Sequence, residues 1–200
     1  DYSFLGSDPF AVLIGRQGQT VLRTNEGDEH SSQDPFGSLS RLLAYPPIAP
    51  LPGLPPFWGG AVGYLSYDLV REFEILPSLA KDDLQLPYLQ FGLYDIVTVI
   101  DHHTDCLQLI FFPPMERFLE EPREELYREG LDRLAEWEAR LSGRPVPLKN
   151  LPSLDQMDFH PNQTRGAYLD RVRRCQEYIA AGDIYQANLS HRFTLQPPGT

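Results

Sequence analysis

Two apolar runs, residues 91–101 and 106–112, close on the polar turn His102-His103-Thr104, and this arrangement more than any other limits the folds open to the chain. Both runs are rich in Val, Ile, Phe and Tyr, side chains that pack well on a pleated, half-buried surface. A short polar turn between two such runs makes a β-hairpin, whose strands are antiparallel. A second hairpin is read at residues 10–16 and 20–23, around Gln17-Gly18-Gln19. Gly59-Gly60-Ala61-Val62-Gly63-Tyr64-Leu65-Ser66-Tyr67 reads as a strand whose small residues let another backbone come close. Asp68 is expected to cap a short helix carrying Leu69, Val70 and Phe73.

Helical periodicity enters later in the chain. Over residues 121–141, Tyr127, Leu131, Leu134, Trp137 and Leu141 recur every three to four positions with charges between them, which predicts an amphipathic helix stopped by Gly143 and Pro145. A second helix places Tyr168, Val172, Cys175 and Ile179 on one face, with Asn162 or Thr164 to cap its start and Gly182 to close it. Residues 184–195 then read as a strand. Residues 25–40 are polar and without period, hence a loop, and the six prolines between residues 45 and 56 predict a surface crossover. Four prolines between 144 and 161 mark the expected boundary, dividing the chain into domains 1–150 and 151–200. Hairpins outnumber alternating βαβ units, so the expected class is α+β, with mainly antiparallel sheets and flanking helices.

Composition excludes several functions. A hydrophobic content of 42% over 200 residues suffices for a folded core. With 17 Lys and Arg against 28 Asp and Glu, the net charge of -11 argues against nucleic-acid binding, which draws its affinity from clustered cations. No run of about 18 apolar residues suggests a membrane span, and no basic-then-apolar leader opens the sequence, so a cytoplasmic location is expected. Cys106 and Cys175 lack zinc-site spacing and are expected as reduced core thiols. Asp1-Tyr2-Ser3-Phe4-Leu5-Gly6 reads as the middle of a structural unit, and the sequence after Leu195 as a strand before a turn, so truncation at both ends is expected.

The segment 184–195 carries the most chemical information. In a strand, Tyr185, Ala187, Leu189, His191 and Phe193 face one way and Gln186, Asn188, Ser190 and Arg192 the other. The second set is either a solvated sheet face or a ligand-lining one. Asn is depleted in strands unless something holds it there, which leans toward a ligand. His102 and His103 beside Asp101 and Asp105 suggest a metal site, but neighbours on a hairpin turn diverge, and a solvated turn is expected. Asp68, Arg71, Glu72 and Glu74 read as a cap and surface ion pairs. Gly59-Gly60-x-x-Gly63 does not read as a phosphate loop, because a strand follows it.

The stretch Tyr178-Ile179-Ala180-Ala181-Gly182-Asp183-Ile184-Tyr185-Gln186-Ala187-Asn188-Leu189-Ser190-His191-Arg192-Phe193 resembles the opening of the chorismate-binding domain in the family of aminodeoxychorismate synthase and anthranilate synthase component I. Tyr2-Ser3-Phe4-Leu5-Gly6, the run from Gly59 through Arg71, and Phe91-Gly92-Leu93-Tyr94-Asp95 look like amino-terminal motifs of that family, in its order. The resemblance implies the amino-terminal part of the anthranilate synthase component I fold. It also implies chorismate as substrate, ammonia from a glutamine amidotransferase partner, and Mg²⁺ held by residues absent from these 200; tryptophan is the ligand expected on the alternative reading of a regulatory or binding domain. Gln186 and Asn188 are then the candidate catalytic residues, orienting substrate or ammonia. In water-using relatives the position of Gln186 is a lysine that activates water; an amide cannot titrate, which suits ammonia as nucleophile. Tyr185-Gln186-Ala187-Asn188-Leu189 is similar to the aminodeoxychorismate form, whereas anthranilate synthases more often read Phe-Gln-Val-Val-Leu. The expectation is therefore a large subunit making 4-amino-4-deoxychorismate for para-aminobenzoate and folate synthesis, inactive at this length. Anthranilate synthesis is the alternative, and a regulatory or binding domain the non-enzyme one.

Overall fold

In a computed structural model the described residues are 1–16, 18–31, 34–44, 49, 51–79, 81–143 and 158–196. They fall in two compact units, Asp1–Gly143 and Arg144–Thr200. The first unit runs β1 (Tyr2–Leu5), β2 (Ala11–Arg16), β3 (Gln19–Thr24), β4 (Gly27–Ser31), α1 (Pro35–Leu42), β5 (Gly60–Leu65) and a 3₁₀ helix (Tyr67–Glu72). It continues with β6 (Leu89–Tyr94), β7 (Ile96–Asp101), β8 (Cys106–Phe111), α2 (Met115–Glu120) and α3 (Arg123–Leu141). The second holds β9 (Asp158–Pro161), α4 (Arg165–Ala181) and β10 (Phe193–Gln196). The architecture is α+β, with antiparallel sheets and flanking helices.

Two sheets build the first unit, one of five strands in the order β4-β3-β2-β6-β5 and one of three in the order β1-β7-β8. Both sequence-read hairpins form, β2 with β3 across Gly18, whose φ of 72° suits glycine, and β7 with β8 from Asp101 opposite Cys106. The expected single strand over residues 91–101 is in fact two. Asp95 lies between β6, in the larger sheet, and β7, in the smaller, so the chain changes sheets across one residue. Hydropathy does not register the break, because apolar residues continue on both sides of it. Every residue from Ile96 to Val99 is buried. On the larger sheet, Leu13, Leu39 and Leu89 form a core cluster under α1, joined by Leu22, Leu42 and Phe91.

Residues 25–40 are not a loop. They hold β4, paired with β3, and α1, whose N-cap Asp34 accepts from the backbone N–H groups of Phe36 at 3.0 Å and Gly37 at 3.2 Å. A charged edge strand such as Gly27-Asp28-Glu29-His30-Ser31 has no apolar alternation to betray it, since charge is how an edge is kept from further pairing. The short 3₁₀ helix Tyr67–Glu72 has Ser66 at its N-cap position, and Asp68 lies inside it, bonded to Arg71 at 2.9 Å rather than capping. The crossover expected over residues 45–56 falls partly outside the described residues.

The long helix α3 forms as expected, preceded by α2, but its inward stripe is displaced from the one read in the sequence. Leu126, Gly130 and Trp137 are buried, whereas Tyr127 and Leu131 are exposed. Residues 126, 130, 133 and 137 share a helical face, and that face includes a glycine and an arginine. Hydropathy therefore picked the neighbouring stripe, which shares Trp137 with the buried one. Cys106 is exposed at the start of β8 and Cys175 is half-buried on α4, so neither is a core thiol. No helix among the described residues is long and apolar enough to cross a membrane.

Candidate functional site

Gln186 and Asn188 lie in the second unit, on the segment between α4 and β10. The expected strand over residues 184–195 is reduced to Phe193–Gln196, paired with Asp158–Pro161. The reason is the length of its partner: after Pro161 the chain turns at Asn162 and enters α4, so no β9 backbone runs beside residues 184–192. The period-two argument that put Gln186 and Asn188 on one face therefore does not apply. Both side chains are exposed, as is Tyr185 at 92%, while Leu189 and His191 are half-buried.

The segment is held at both ends. At its start, Gly182 takes φ 81°, its N–H donates to the Ile179 carbonyl at 3.1 Å, and the Asp183 N–H reaches the Tyr178 carbonyl at 3.0 Å. This left-handed glycine turn ends α4 and sends the chain away from it. The other end of α4 is capped by Thr164, whose hydroxyl accepts from the Ala167 N–H at 3.2 Å. At the end of the segment, the Asn162 N–H donates to the Arg192 carbonyl at 2.9 Å, and the Asn162 Oδ1 accepts from the Arg192 N–H at 3.2 Å. Gln163 Nε2 donates to the Ser190 carbonyl at 3.4 Å. The His191 ring stacks on Tyr168 with centroids 5.4 Å apart and lies 4.4 Å from Phe193.

The first unit carries an aromatic pocket of about 380 Å³, walled by Phe10, Phe57, Trp58, Tyr94 and Phe112 and by the backbone of Gly59 to Ala61. Trp58 meets Phe112 edge to face with centroids 5.0 Å apart. Among the described residues of this lining, Tyr94 supplies the one ionisable side chain. Such a wall can hold a planar apolar group, and its described residues offer no acid–base pair for chemistry on it.

Asp95 holds the junction beneath this pocket. Its carboxylate is 5% exposed and accepts from both terminal nitrogens of Arg133, Nη1 and, at 3.0 Å, Nη2. Its carbonyl accepts from the Phe112 N–H at 2.8 Å, tying the pocket wall to the junction. Alongside, the Trp137 Nε1–H donates to the Thr98 hydroxyl at 2.7 Å.

Apart from Arg174 on α4, whose guanidinium is raised by its hydrogen bonds to the Tyr178 hydroxyl, the groups displaced from ordinary pKa values sit in ion pairs and local hydrogen bonds of the first unit. Arg117 bonds Glu121 and Glu129 through two nitrogens each. Its hydrogen bonds hold both carboxyls below the usual range, and theirs raise its guanidinium. Hydrogen bonds from Ser7 and Arg140 lower Asp8, and those from the Thr104 hydroxyl and His103 backbone lower Asp101. His102 Nε2 lies 2.7 Å from the Ser3 hydroxyl, in an exposed turn. Among the described residues no three His, Cys, Asp or Glu side chains come together as metal ligands. Sequence reading missed the aromatic pocket, although Phe57-Trp58 before Gly59-Gly60 was a visible signal. It also missed Asn162 and Gln163 as partners of residues 190–192, which local pattern does not show.

The arrangement defines an α+β protein with an aromatic binding pocket in one unit and an amide-bearing segment in the other. Residues 2–200 match the chorismate binding enzyme family, and the chain belongs to it. It is 40% identical over 175 residues to anthranilate synthase component 1 of Thermus thermophilus, covering 86% of this chain and 34% of that protein. It is 32% identical over 199 residues to aminodeoxychorismate synthase component 1 of Salmonella typhimurium, covering 99% of this chain and 39% of the relative. Among solved structures, anthranilate synthase component I from Streptococcus pneumoniae has the same fold, with a TM-score of 0.75 at 24% identity, over 96% of this chain and 41% of that one. The chain thus spans 34% to 41% of the length of these relatives.

Proposed function

We propose that this chain is part of the large component of a chorismate-aminating synthase, which joins ammonia to chorismate with a glutamine amidotransferase as its partner. The observation that carries this reading is the family match over residues 2–200. Its matched relatives are named as component 1 of two such synthases, which supports a second, ammonia-supplying component. On this reading residues 1–150 belong to the amino-terminal domain and 151–200 open the chorismate-binding domain. Gln186 and Asn188 orient the substrate or ammonia, and the protein works in the cytoplasm.

For the product, the 40% identity to a Thermus thermophilus anthranilate synthase component 1 supports anthranilate. A second reading, 4-amino-4-deoxychorismate, is favoured by Asn188 within Tyr185-Gln186-Ala187-Asn188-Leu189 and by the 32% identity to an aminodeoxychorismate synthase component 1 over 99% of this chain. Incubating the full-length protein with chorismate, Mg²⁺ and ammonium and identifying the products decides between them. Anthranilate with released pyruvate supports the first reading, and 4-amino-4-deoxychorismate the second. Isochorismate, or no amination at all, would refute both. The role of the amides is tested by steady-state kinetics of Gln186→Ala and Asn188→Ala in the same protein, where unchanged turnover with unchanged melting removes them from the site.

A further inference from the structure

A helix of six residues does not hold itself in water, so the position of α2 depends on what its side chains grip. It starts at Pro114, in the wall of the aromatic pocket, and Pro114 gives it no side-chain cap. Met115 is buried. Arg117 supplies a second hold, because its half-buried guanidinium meets two carboxylates at once: Glu121 at 2.6 and 2.8 Å, and Glu129 at 2.9 and 2.6 Å. Glu121 follows the end of α2 and Glu129 lies on α3, so one planar group ties the two helices together across Pro122. Isolated surface ion pairs contribute little, but a bidentate fork inside a network is the exception. The network runs on, since Glu129 lies 3.8 Å from Arg133, whose other partner is Asp95.

Phe112, a wall of the pocket, is reached from both ends of this chain of charges. From Asp95 the route is the backbone, through the Phe112 N–H on the Asp95 carbonyl at 2.8 Å. From Arg117 it is the next residue of α2, Phe118, whose ring centroid lies 6.0 Å from that of Phe112. Arg123, at the start of α3, stands over the same Phe118 ring at 5.8 Å. Phe112 in turn meets Trp58 edge to face.

We propose that Arg117 is a clasp that sets the wall of the aromatic pocket: by locking α2 to α3 it fixes Phe118, and through Phe118 the edge contact between Phe112 and Trp58. Breaking the fork frees α2 to move about Pro114, and the wall loosens with it. The chemistry calls for arginine. A guanidinium presents five donors in one plane and can serve two carboxylates together, whereas the ammonium of lysine carries the same charge at a single point. Because the fork is half-exposed, added salt weakens it, so the wall answers to ionic strength.

The test is amide hydrogen exchange of the full-length protein, read by mass spectrometry at one pH, with residues 11–24 of β2 and β3 as the internal reference. Arg117→Met is expected to quicken exchange over residues 112–121 about tenfold, the worth of one charge-assisted hydrogen bond, and to leave the reference unchanged. Arg117→Lys should quicken it nearly as much. Glu129→Ala, which removes the bridge to α3, should have a larger effect than Glu121→Ala, which spares it. Raising NaCl from about 0.01 M to about 1 M shortens the screening length about tenfold, and should quicken exchange over 112–121 in the wild type but add little in Arg117→Met. The pocket wall is read at Trp58, as acrylamide quenching of the fluorescence that Trp58→Phe removes, and Arg117→Met should make that component easier to quench. If Arg117→Met does not fold, Glu129→Ala and the salt series carry the test. Unchanged exchange over 112–121, an equal rise in the reference, or wild-type behaviour in Arg117→Lys overturns the clasp. Faster exchange over 112–121 with unchanged quenching of Trp58 overturns its hold on the pocket.

Discussion

The ion pair between Asp95 and Arg133 is unequal in burial, and that inequality sets which half of it the protein can afford to lose. The carboxylate side chain is 5% exposed and the guanidinium 33%. Replacing Arg133 by methionine keeps the aliphatic stem but leaves a charged oxygen pair in a site water barely reaches. Breaking a buried pair in this way costs about 3–5 kcal/mol, and partial access of water beside Arg133 places the expected loss near the lower end, about 3 kcal/mol. Asp95→Asn, by contrast, leaves a cation that can turn toward solvent and an amide that still accepts one hydrogen bond, for a loss of about 1.5 kcal/mol. At roughly 2–4 °C per kcal/mol for a chain of this size, Arg133→Met should lower Tm by about 6–12 °C and Asp95→Asn by about 3–6 °C. Thermal and urea unfolding followed by tryptophan fluorescence reads both, since Trp137 lies beside the pair in one pocket wall and Trp58 lines the aromatic pocket. Equal losses, or a larger one in Asp95→Asn, would show that burial does not govern this pair and refute the argument.

Three further outcomes are expected. A Cβ on Gly63 would stand 1.9 Å from the Gln90 carbonyl oxygen and 2.7 Å from the Phe91 Cα, both backbone atoms of the paired strand. Gly63→Ala should therefore pry β5 from β6 at a cost of about 2–3 kcal/mol, seen as faster amide exchange along β5. Thr98→Val leaves the buried Trp137 Nε1–H without its acceptor and should cost about 1–3 kcal/mol. Adding Trp137→Phe removes that stranded donor, so a double-mutant cycle in urea should return a coupling of about 1 kcal/mol or more. Glu121 and Glu129 titrate below their ordinary value of 4.5 through their bonds to Arg117, so their contribution is present above that pH and lost as pH falls through the lowered values. Urea midpoints measured from pH 6 to pH 3 should fall on the acid side, and Arg117→Met should flatten that fall.

What the sequence disclosed depended on whether local pattern and tertiary partner agreed. The β2–β3 and β7–β8 hairpins were legible because strand, turn and partner lie within a few residues of one another, and α4 because Thr164 and Gly182 mark its two ends. The inward stripe of α3 was misread because Arg133 is drawn in by a carboxylate 38 positions away, which no helical period contains. For the candidate site, the identity of Gln186 and Asn188 was legible from the motif around them, but their geometry was not. Residues 184–192 look like a strand by composition, yet strand formation needs a neighbour, and β9 ends after four residues. The edge strand β4 was hidden for the opposite reason, since it has a neighbour in β3 and lacks the composition.

The passage from β6 to β7 through Asp95 also constrains how this chain can vary in length. With one residue between the two strands, the pairing of β6 in the larger sheet and that of β7 in the smaller fix each other's position along the chain. Inserting or deleting one residue here would reverse every side chain of β7 relative to β6, turning buried Val97 and Val99 toward the opposite side while Leu89 and Leu93 stayed in place. The joint thus behaves as a gear rather than a hinge. Changes of length are absorbed where the phase can be reset, in the turn at residues 102–105 or in the long connection after Glu72, and not at the point where the sheets meet.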